Sequence, residues 1–482
     1  MARNPRSMPL PGYQPLHLPT SPNHLPTTST MKIAIVGSGI SGLSAAHILC
    51  KQADLTLFEA GSYFGGHTHT VDVTLPTPGG PVTHGVDTGF LVFNERTYPN
   101  LIRLFDELGV QSVASDMSFS VQAPGALEGR TLEWSGSSLD TVFAQRGNLV
   151  NPRFLRMLRD LVRFNTLCTR IAEANQDAAL MQPLAAFLEI HRFSAEFRDW
   201  YFLPMLGCIW SCPTDQMLKF PVATMIRFCH NHGLLQVSNR PAWRTVTGGA
   251  RNYVEKITAA IADKRLNTPV RRIEREPGVL RGGVRVITDA GVETFDKVIL
   301  ATHSDQSLAL LKTPTRQECE VLGAIRYQRN RAVLHTDAAV LPDARKAWAA
   351  WNYERAANRA DEAARVCLHY LLNRLQPLPF EQPVIVSLNP TRAIDQAHIL
   401  GDYDYEHPVF DQAAIQAQPR ASALQGKNHT YFAGAWMGYG FHEDGLKAGL
   451  QAAQQLLGDA QGRRVAPAAD WWPERMVETE AA

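Results

Sequence analysis

The sequence predicts an α/β fold in which a nucleotide-binding unit is interrupted by a helical and sheet insertion. Three observations predict it. Lys32-Ile33-Ala34-Ile35-Val36 passes directly into the loop Gly37-Ser38-Gly39-Ile40-Ser41-Gly42. A second apolar run, Leu55–Phe58, ends on Glu59. A third, Tyr431-Phe432-Ala433-Gly434, stands far downstream. Short apolar runs of this kind, bounded by glycine or an acid, read as buried parallel strands.

The first stretch carries a Rossmann-like fingerprint. Gly37 permits a tight turn, Gly39 lets the backbone approach a pyrophosphate, and Gly42 lets helix and strand pack closely. Ser38, Ile40 and Ser41 complete the loop. A helix is expected from about Ile40 to Ala53, with Leu43, Ala46, His47 and Cys50 at helical spacing. Its N-terminus offers unpaired N–H groups and a partial positive charge to phosphates. Glu59, followed by Ala60, is placed to accept hydrogen bonds from ribose hydroxyls. A lone glycine pattern is a weak signal. Strand, loop, helix, strand and acid in that order are a specific one for a dinucleotide.

The residues after Glu59 narrow the choice. Gly65-Gly66-His67-Thr68 follows, and an acid followed shortly by paired glycines resembles the second FAD motif of the amine oxidase and phytoene desaturase class. The resemblance implies FAD and a fold of the amine oxidase/glutathione reductase type, with the backbone of Gly65 and Gly66 near the pyrophosphate and ribityl chain. Thr268–Ile273 resembles the strand whose Val270 backbone holds the adenine in that class. The hairpin Gly283–Asp289 and the run Phe295–Thr302 match it as well. Gly434 closes the last strand, and Gly445-Leu446-Lys447-Ala448-Gly449-Leu450 opens a helix that would aim its N-terminus at the flavin ring. The class places an acid directly after the strand-ending glycine. Here it is Ala435, which leaves Glu443, Asp444 or the backbone to hold the ribityl chain.

A narrower resemblance rests on longer motifs. They are Gly65-Gly66-His67-Thr68-His69-Thr70-Val71, Asp87-Thr88-Gly89-Phe90-Leu91-Val92-Phe93-Asn94, Gly207-Cys208-Ile209-Trp210-Ser211-Cys212-Pro213 and Gly438-Tyr439-Gly440-Phe441-His442-Glu443-Asp444-Gly445. They look like bacterial flavin-dependent oxidoreductases related to the N-terminal flavin region of plant cyclopropane fatty acid synthases, over roughly Met31 to Gln455. The resemblance implies an apolar substrate, a phospholipid acyl chain, with desaturation of methyl-branched or cyclopropane-related chains as the reaction. It also implies a lipid methyltransferase as a partner.

Composition bounds the remaining choices. The chain has 482 residues, 45% of them hydrophobic and 19% charged, with a formal net charge of +1. That length favours two or three domains, and the charge balance supplies no field for nucleic acid. No apolar run approaches the ~18 residues of a membrane-spanning helix. The seven cysteines contain no CxxC pair, so neither a disulfide framework nor a zinc site is suggested. Reduced thiols fit a cytoplasmic protein, with a lipid substrate adding peripheral contact at the inner membrane face. Residues 1–30 hold seven prolines and read as a disordered tail, with Met31, which opens the first strand, as the expected start. An FAD-binding domain is expected from 31–105, 241–310 and 425–460, a substrate domain from 106–240 and 311–424, and a C-terminal tail from 461–482.

The insertion from about Asp106 to Arg240 reads mostly helical. Its first long helix sets Arg153, Arg156, Arg159 and Arg163 on one face. That face is either a solvated one over a core helix or a docking face for anionic headgroups. Phe193, Phe197, Trp200, Tyr201, Phe202, Trp210, Phe220 and Phe228 read mainly as core, with a minority lining an apolar tunnel. Trp348, Trp351 and Tyr353 follow the strand Ala332–His335, in a part that the class resemblance implies is a sheet over the flavin. Thr247–Tyr253 is glycine-rich but is read without a strand before it, so a second nucleotide site for NADPH is not supported. His67 and His69 have no further ligands nearby, which favours a hydrogen bond near the flavin over a metal; no metal ligand is assigned.

His442-Glu443-Asp444 is the most polar cluster beside the expected flavin. His442 or Glu443 is the expected base, taking a proton while a hydride leaves the substrate for the flavin. Asp444 is also a good N-cap for the last helix. Three alternatives stay open. One is an amine oxidase with an aromatic cage near Trp436 and Tyr439. Another is a carotenoid-type desaturase or isomerase. The third is a non-catalytic flavoprotein partner of a lipid methyltransferase.

Overall fold

The computed structural model describes residues 30–174, 180, 182–236, 241–276, 278–279, 282–356 and 365–462. The tails expected at 1–30 and 461–482 fall almost wholly outside them. β1 (Lys32–Val36) and β2 (Asp54–Phe58) pair in parallel, Ile33 opposite Leu55 and Val36 opposite Phe58. Between them α1 (Ile40–Leu49) is buried nearly all round. It stops at Leu49 rather than Ala53, where the Gln52 amide bonds the Leu49 carbonyl three residues back and tightens the last turn.

The parallel sheet runs in the order Asp263–Arg265, β2, β1, Lys297–Leu300, Thr430–Phe432. Its strands come from three separated stretches of chain, which meet around a core of Ile33, Ile35, Leu43 and Ile299. Val270–Arg275, Val284–Thr288 and Gly291–Phe295 form a separate antiparallel sheet. The last helix, His442–Ala460, packs on α1. Contact is so close that a Cβ on Gly445 would stand 2.7 Å from Ile40 Cγ2.

The stretch from about Asp106 to Arg240 is mostly helical, as expected, but it also contributes strands. Phe119–Leu127 and Arg130–Ser135 form a hairpin that joins Trp351–Glu354 in parallel. The two halves of the insertion therefore share one seven-stranded sheet, completed by Cys367–Leu371, Ile385–Leu388, Arg326–His335 and Ile399–Val409. α2 (Pro99–Leu108) lies before the hairpin and packs on the last helix. α3 (Leu139–Val142) and α4 (Pro152–Glu173) follow the hairpin, and Val222–Asn231 packs on α4. The second core, around Trp134, Phe197, Phe202 and Met225, fills this layer. It takes in most of the dense aromatics, as expected. A short strand, Trp243–Val246, does precede the glycine turn at Thr247, contrary to expectation. It pairs antiparallel with Phe93–Asn94 and Ser112–Ala114, outside the parallel sheet.

Candidate active site

A cavity of about 790 Å³ runs from the glycine loop into the insertion. Its nucleotide end is walled by Gly37, Ser38, Gly39, Ile40, Ser41, Glu59, Ala60, Gly65, Gly66, His67 and Val270, and further along by Gly434 and His442. These are expected positions, drawn together from four parts of the chain. The two glycine motifs form one trough: a Cβ on Gly66 would lie 3.1 Å from Gly39 Cα, and the Ser38 carbonyl accepts the Gly65 amide. On Gly39 itself a Cβ would meet nothing within 4 Å, so that backbone opens onto empty space. No side chain caps α1 there, which leaves its first N–H groups to the cavity. Ser38 N and Oγ donate to one Glu59 oxygen at 2.9 and 2.5 Å, and Gly61 N donates to the other at 2.8 Å. An uncapped helix end, an open glycine edge and a fixed carboxylate fit the phosphates and ribose of FAD.

The remaining predicted residues support the wall rather than form it. Gly42 lies beneath Gly37, whose carbonyl oxygen a Cβ would meet at 1.9 Å. Thr68 Oγ1 is 2.5 Å from Tyr253 OH. Leu446 is fully buried, and its carbonyl accepts the Ser44 hydroxyl.

Glu443 does not face the cavity. Its carboxylate accepts the amides of Asn100 and Leu101 at 3.0 Å each and the Asn100 side chain at 2.6 Å. It therefore closes the N-terminus of α2, and burial pushes its pKa up to about 7 against those bonds. Asp444 is not an N-cap. The helix begins at His442, and Asp444 reaches back to accept the amides of Tyr439 (3.1 Å) and Phe441 (3.0 Å). Neither carboxylate lines the cavity, so neither stands in for the acid missing at Ala435.

His442 does form part of the wall. Its ring stacks on Phe90 with centroids 3.8 Å apart, and Nε2 is 2.8 Å from Tyr253 OH. Burial drives its pKa down to about 3, so the imidazole is neutral at ordinary pH, and the same burial makes it a weak base.

Sequence reasoning missed a second histidine group. His303 and His407 join His67 in the wall, with ring centroids 6.5 and 5.3 Å from that of His67. His67 Nε2 is buried without a partner. Burial, with the other histidines adding to it, holds His67 well below its ordinary value, and burial lowers His407 to about 4. The signal for His303 was its place two residues past Ala301, which abuts Gly37. His407 gave none, because it reaches the site from an outer strand of the other sheet. Beyond these residues the wall is mainly apolar, with Met117, Phe119, Met205, Ile209, Phe228 and Leu234 and the indoles of Trp351 and Trp436, interrupted by Ser211, His232 and Tyr370. Trp348 instead donates to the Pro342 carbonyl. Outside the cavity, Glu354, Cys367 and His369 form a buried cluster whose members bond one another, with Arg392 on the other Glu354 oxygen.

A family profile described as flavin containing amine oxidoreductase matches residues 40–335. The "Putative flavin-containing monoamine oxidase AofH" of Mycobacterium tuberculosis is 26% identical over 296 residues, covering 58% of this chain and 59% of that protein. The chain thus matches about three-fifths of the length of these curated relatives. Among solved structures, cyclohexylamine oxidase from Brevibacterium oxydans aligns with a TM-score of 0.63 at 16% identity, over 90% of this chain and 100% of that one. The CLA-producing fatty acid isomerase from P. acnes aligns at 0.60 and 16%, over 89% and 98%. A putrescine oxidase bound to putrescine gives 0.60 and 16%, over 89% and 99%. At such identities the likeness is one of fold.

Proposed function

The chain belongs to the flavin-containing amine oxidoreductase family, and from that premise we propose that it is an FAD-dependent oxidoreductase that withdraws two hydrogens from an apolar lipid acyl chain. The observation behind this reading is the cavity wall beyond the nucleotide end. The carboxylates lining the cavity are Glu59, at the ribose position, and Glu406, which sits 3.4 Å from His303. Among the described residues, the far wall from Met117 to Leu234 has none. An acyl chain enters such a wall at no electrostatic cost, whereas an alkylammonium loses its hydration without a paired anion.

When bound, FAD supplies the two-electron oxidant. His442 accepts the proton. Tyr253, bonded in turn to Thr68, and the stacked Phe90 hold its ring in place. The apolar wall orients the chain and keeps water out. The finer substrate, a methyl-branched or cyclopropane-related chain, and a lipid methyltransferase as partner rest on the sequence motifs.

Incubating the holoenzyme with phospholipids bearing such chains, followed by mass spectrometry, tests the reading. A product lighter by two hydrogens is expected. An unchanged mass across the panel contradicts it. Amine oxidation is the second reading, favoured by the aromatic surface of Trp351 and Trp436 and by the names of the relatives. Peroxide release on adding amines would replace the first reading with it.

A further inference from the structure

Ten large apolar side chains are exposed among the described residues, and six lie between positions 139 and 190: Leu139, Leu149, Val150, Leu155, Val162 and Ile190. Single exposed apolar residues need no explanation, but a group of them does. Leu149 and Val150 stand at the N-terminus of α4. Leu155 and Val162 are seven residues apart, on one line along its outer face, with Arg159 between them. Ile190 is brought alongside because the Arg163 guanidinium donates to the neighbouring His191 carbonyl and lies 4.3 Å over the Phe193 ring.

The charges on this face are sorted by depth. Asp160 lies beneath Arg159 and Arg163, at 3.4 and 2.9 Å, and Glu196 lies beneath Arg153 and Arg156, at 2.9 and 3.7 Å. The carboxylate side chains are 1% and 9% exposed, the guanidiniums 41% to 72%. Each buried acid therefore anchors two partly exposed cations, and four arginines against two carboxylates leave the face positively charged around the apolar residues. A second copy of the chain would bring this basic face against itself. An anionic bilayer satisfies both features, headgroups taking the arginines and acyl chains the apolar residues.

We infer that the outer face of α4, with the Leu149–Val150 corner and Ile190, docks on an anionic phospholipid surface. No helix of the described residues is long and apolar enough to cross a membrane, so the contact is peripheral. α4 packs on Val222–Asn231, whose Phe228 lines the cavity, so the surface lies one helix layer from the site. The inference stands on this face alone and does not require an acyl-chain substrate.

Co-sedimentation of the holoprotein with vesicles tests it. Vesicles of equal parts phosphatidylcholine and phosphatidylglycerol should bind the protein, less so as salt rises, and pure phosphatidylcholine should not. The variant Val150→Asp/Leu155→Asp/Val162→Asp changes only exposed side chains. It should keep the wild-type circular dichroism and flavin content while losing vesicle affinity on the order of a hundredfold, the scale that three such groups contribute. Three outcomes overturn the inference: no binding of the wild type to mixed vesicles, equal binding by the variant, or a wild-type dimer that the variant converts to monomer. Vesicle binding without any lipid turnover would leave the surface in place and remove the acyl-chain reading instead.

Discussion

The last helix turns His442 into the cavity and the next side chain, Glu443, towards α2, although both are polar and adjacent in sequence. Replacing His442 by Gln should slow substrate-driven flavin reduction by about two to four orders of magnitude, the usual scale for a general base, and leave flavin content unchanged; stopped-flow absorbance reads both. Replacing Glu443 by Gln should do the reverse. It removes a charge and an acceptor from the α2 N-terminus and should cost about 1–2 kcal/mol in a urea melt, with the reduction rate kept. The histidine also has a pH signature. Its folded pKa is lowered from 6.5 to about 3, so below pH ~6.5 the unfolded chain binds a proton that the folded chain refuses. Stability from this group is complete above that pH and is lost on acidification. Between about pH 7.5 and 5, wild type should lose about 2 kcal/mol more than His442→Phe. Equal losses in the two proteins would show that the imidazole is not held neutral by burial.

Among the elements, the glycine trough makes a sharp pair of predictions. A Cβ on Gly42 would collide with the Gly37 carbonyl, whereas one on Gly39 would meet only open space. Gly42→Ala should therefore lower the melting temperature of the apoprotein. Gly39→Ala should leave that temperature unchanged and weaken FAD binding, measured by fluorescence titration of the apoprotein. These elements were legible in the sequence because strand, loop and acid are contiguous and their chemistry is local. The Phe119–Ser135 hairpin was not. Its alternate residues Ser120, Gln122, Glu133 and Ser135 are polar yet buried, held by partners such as Asn352, the Val340 carbonyl and the amides of Asp343 and Ala344. Only the folded chain supplies those partners. The end of α1 and the start of the last helix shifted for a related reason: the bond of the Gln52 amide to the Leu49 carbonyl, and the Asp444 carboxylate reaching back to the Phe441 amide, set where each helix stops or begins.

At the scale of the molecule, a parallel sheet built from separated stretches faces a seven-stranded sheet to which both halves of the insertion contribute, and the cavity joins the two. That arrangement explains why His67, His303 and His407 meet although no local pattern links them. It also puts the glycine loops and the apolar side chains of Ile209 and Met205 in the wall of one cavity. Ile209→Trp should therefore slow reduction by a long acyl chain while leaving FAD content and reduction by dithionite as in wild type. The central claim is tested most directly by anaerobic titration of the holoenzyme, following the flavin absorbance against a panel of methyl-branched and unsaturated phospholipids beside a panel of amines. Bleaching by a member of the lipid panel and by no amine is the predicted result; bleaching by an amine, with every lipid leaving the flavin oxidised, would contradict it.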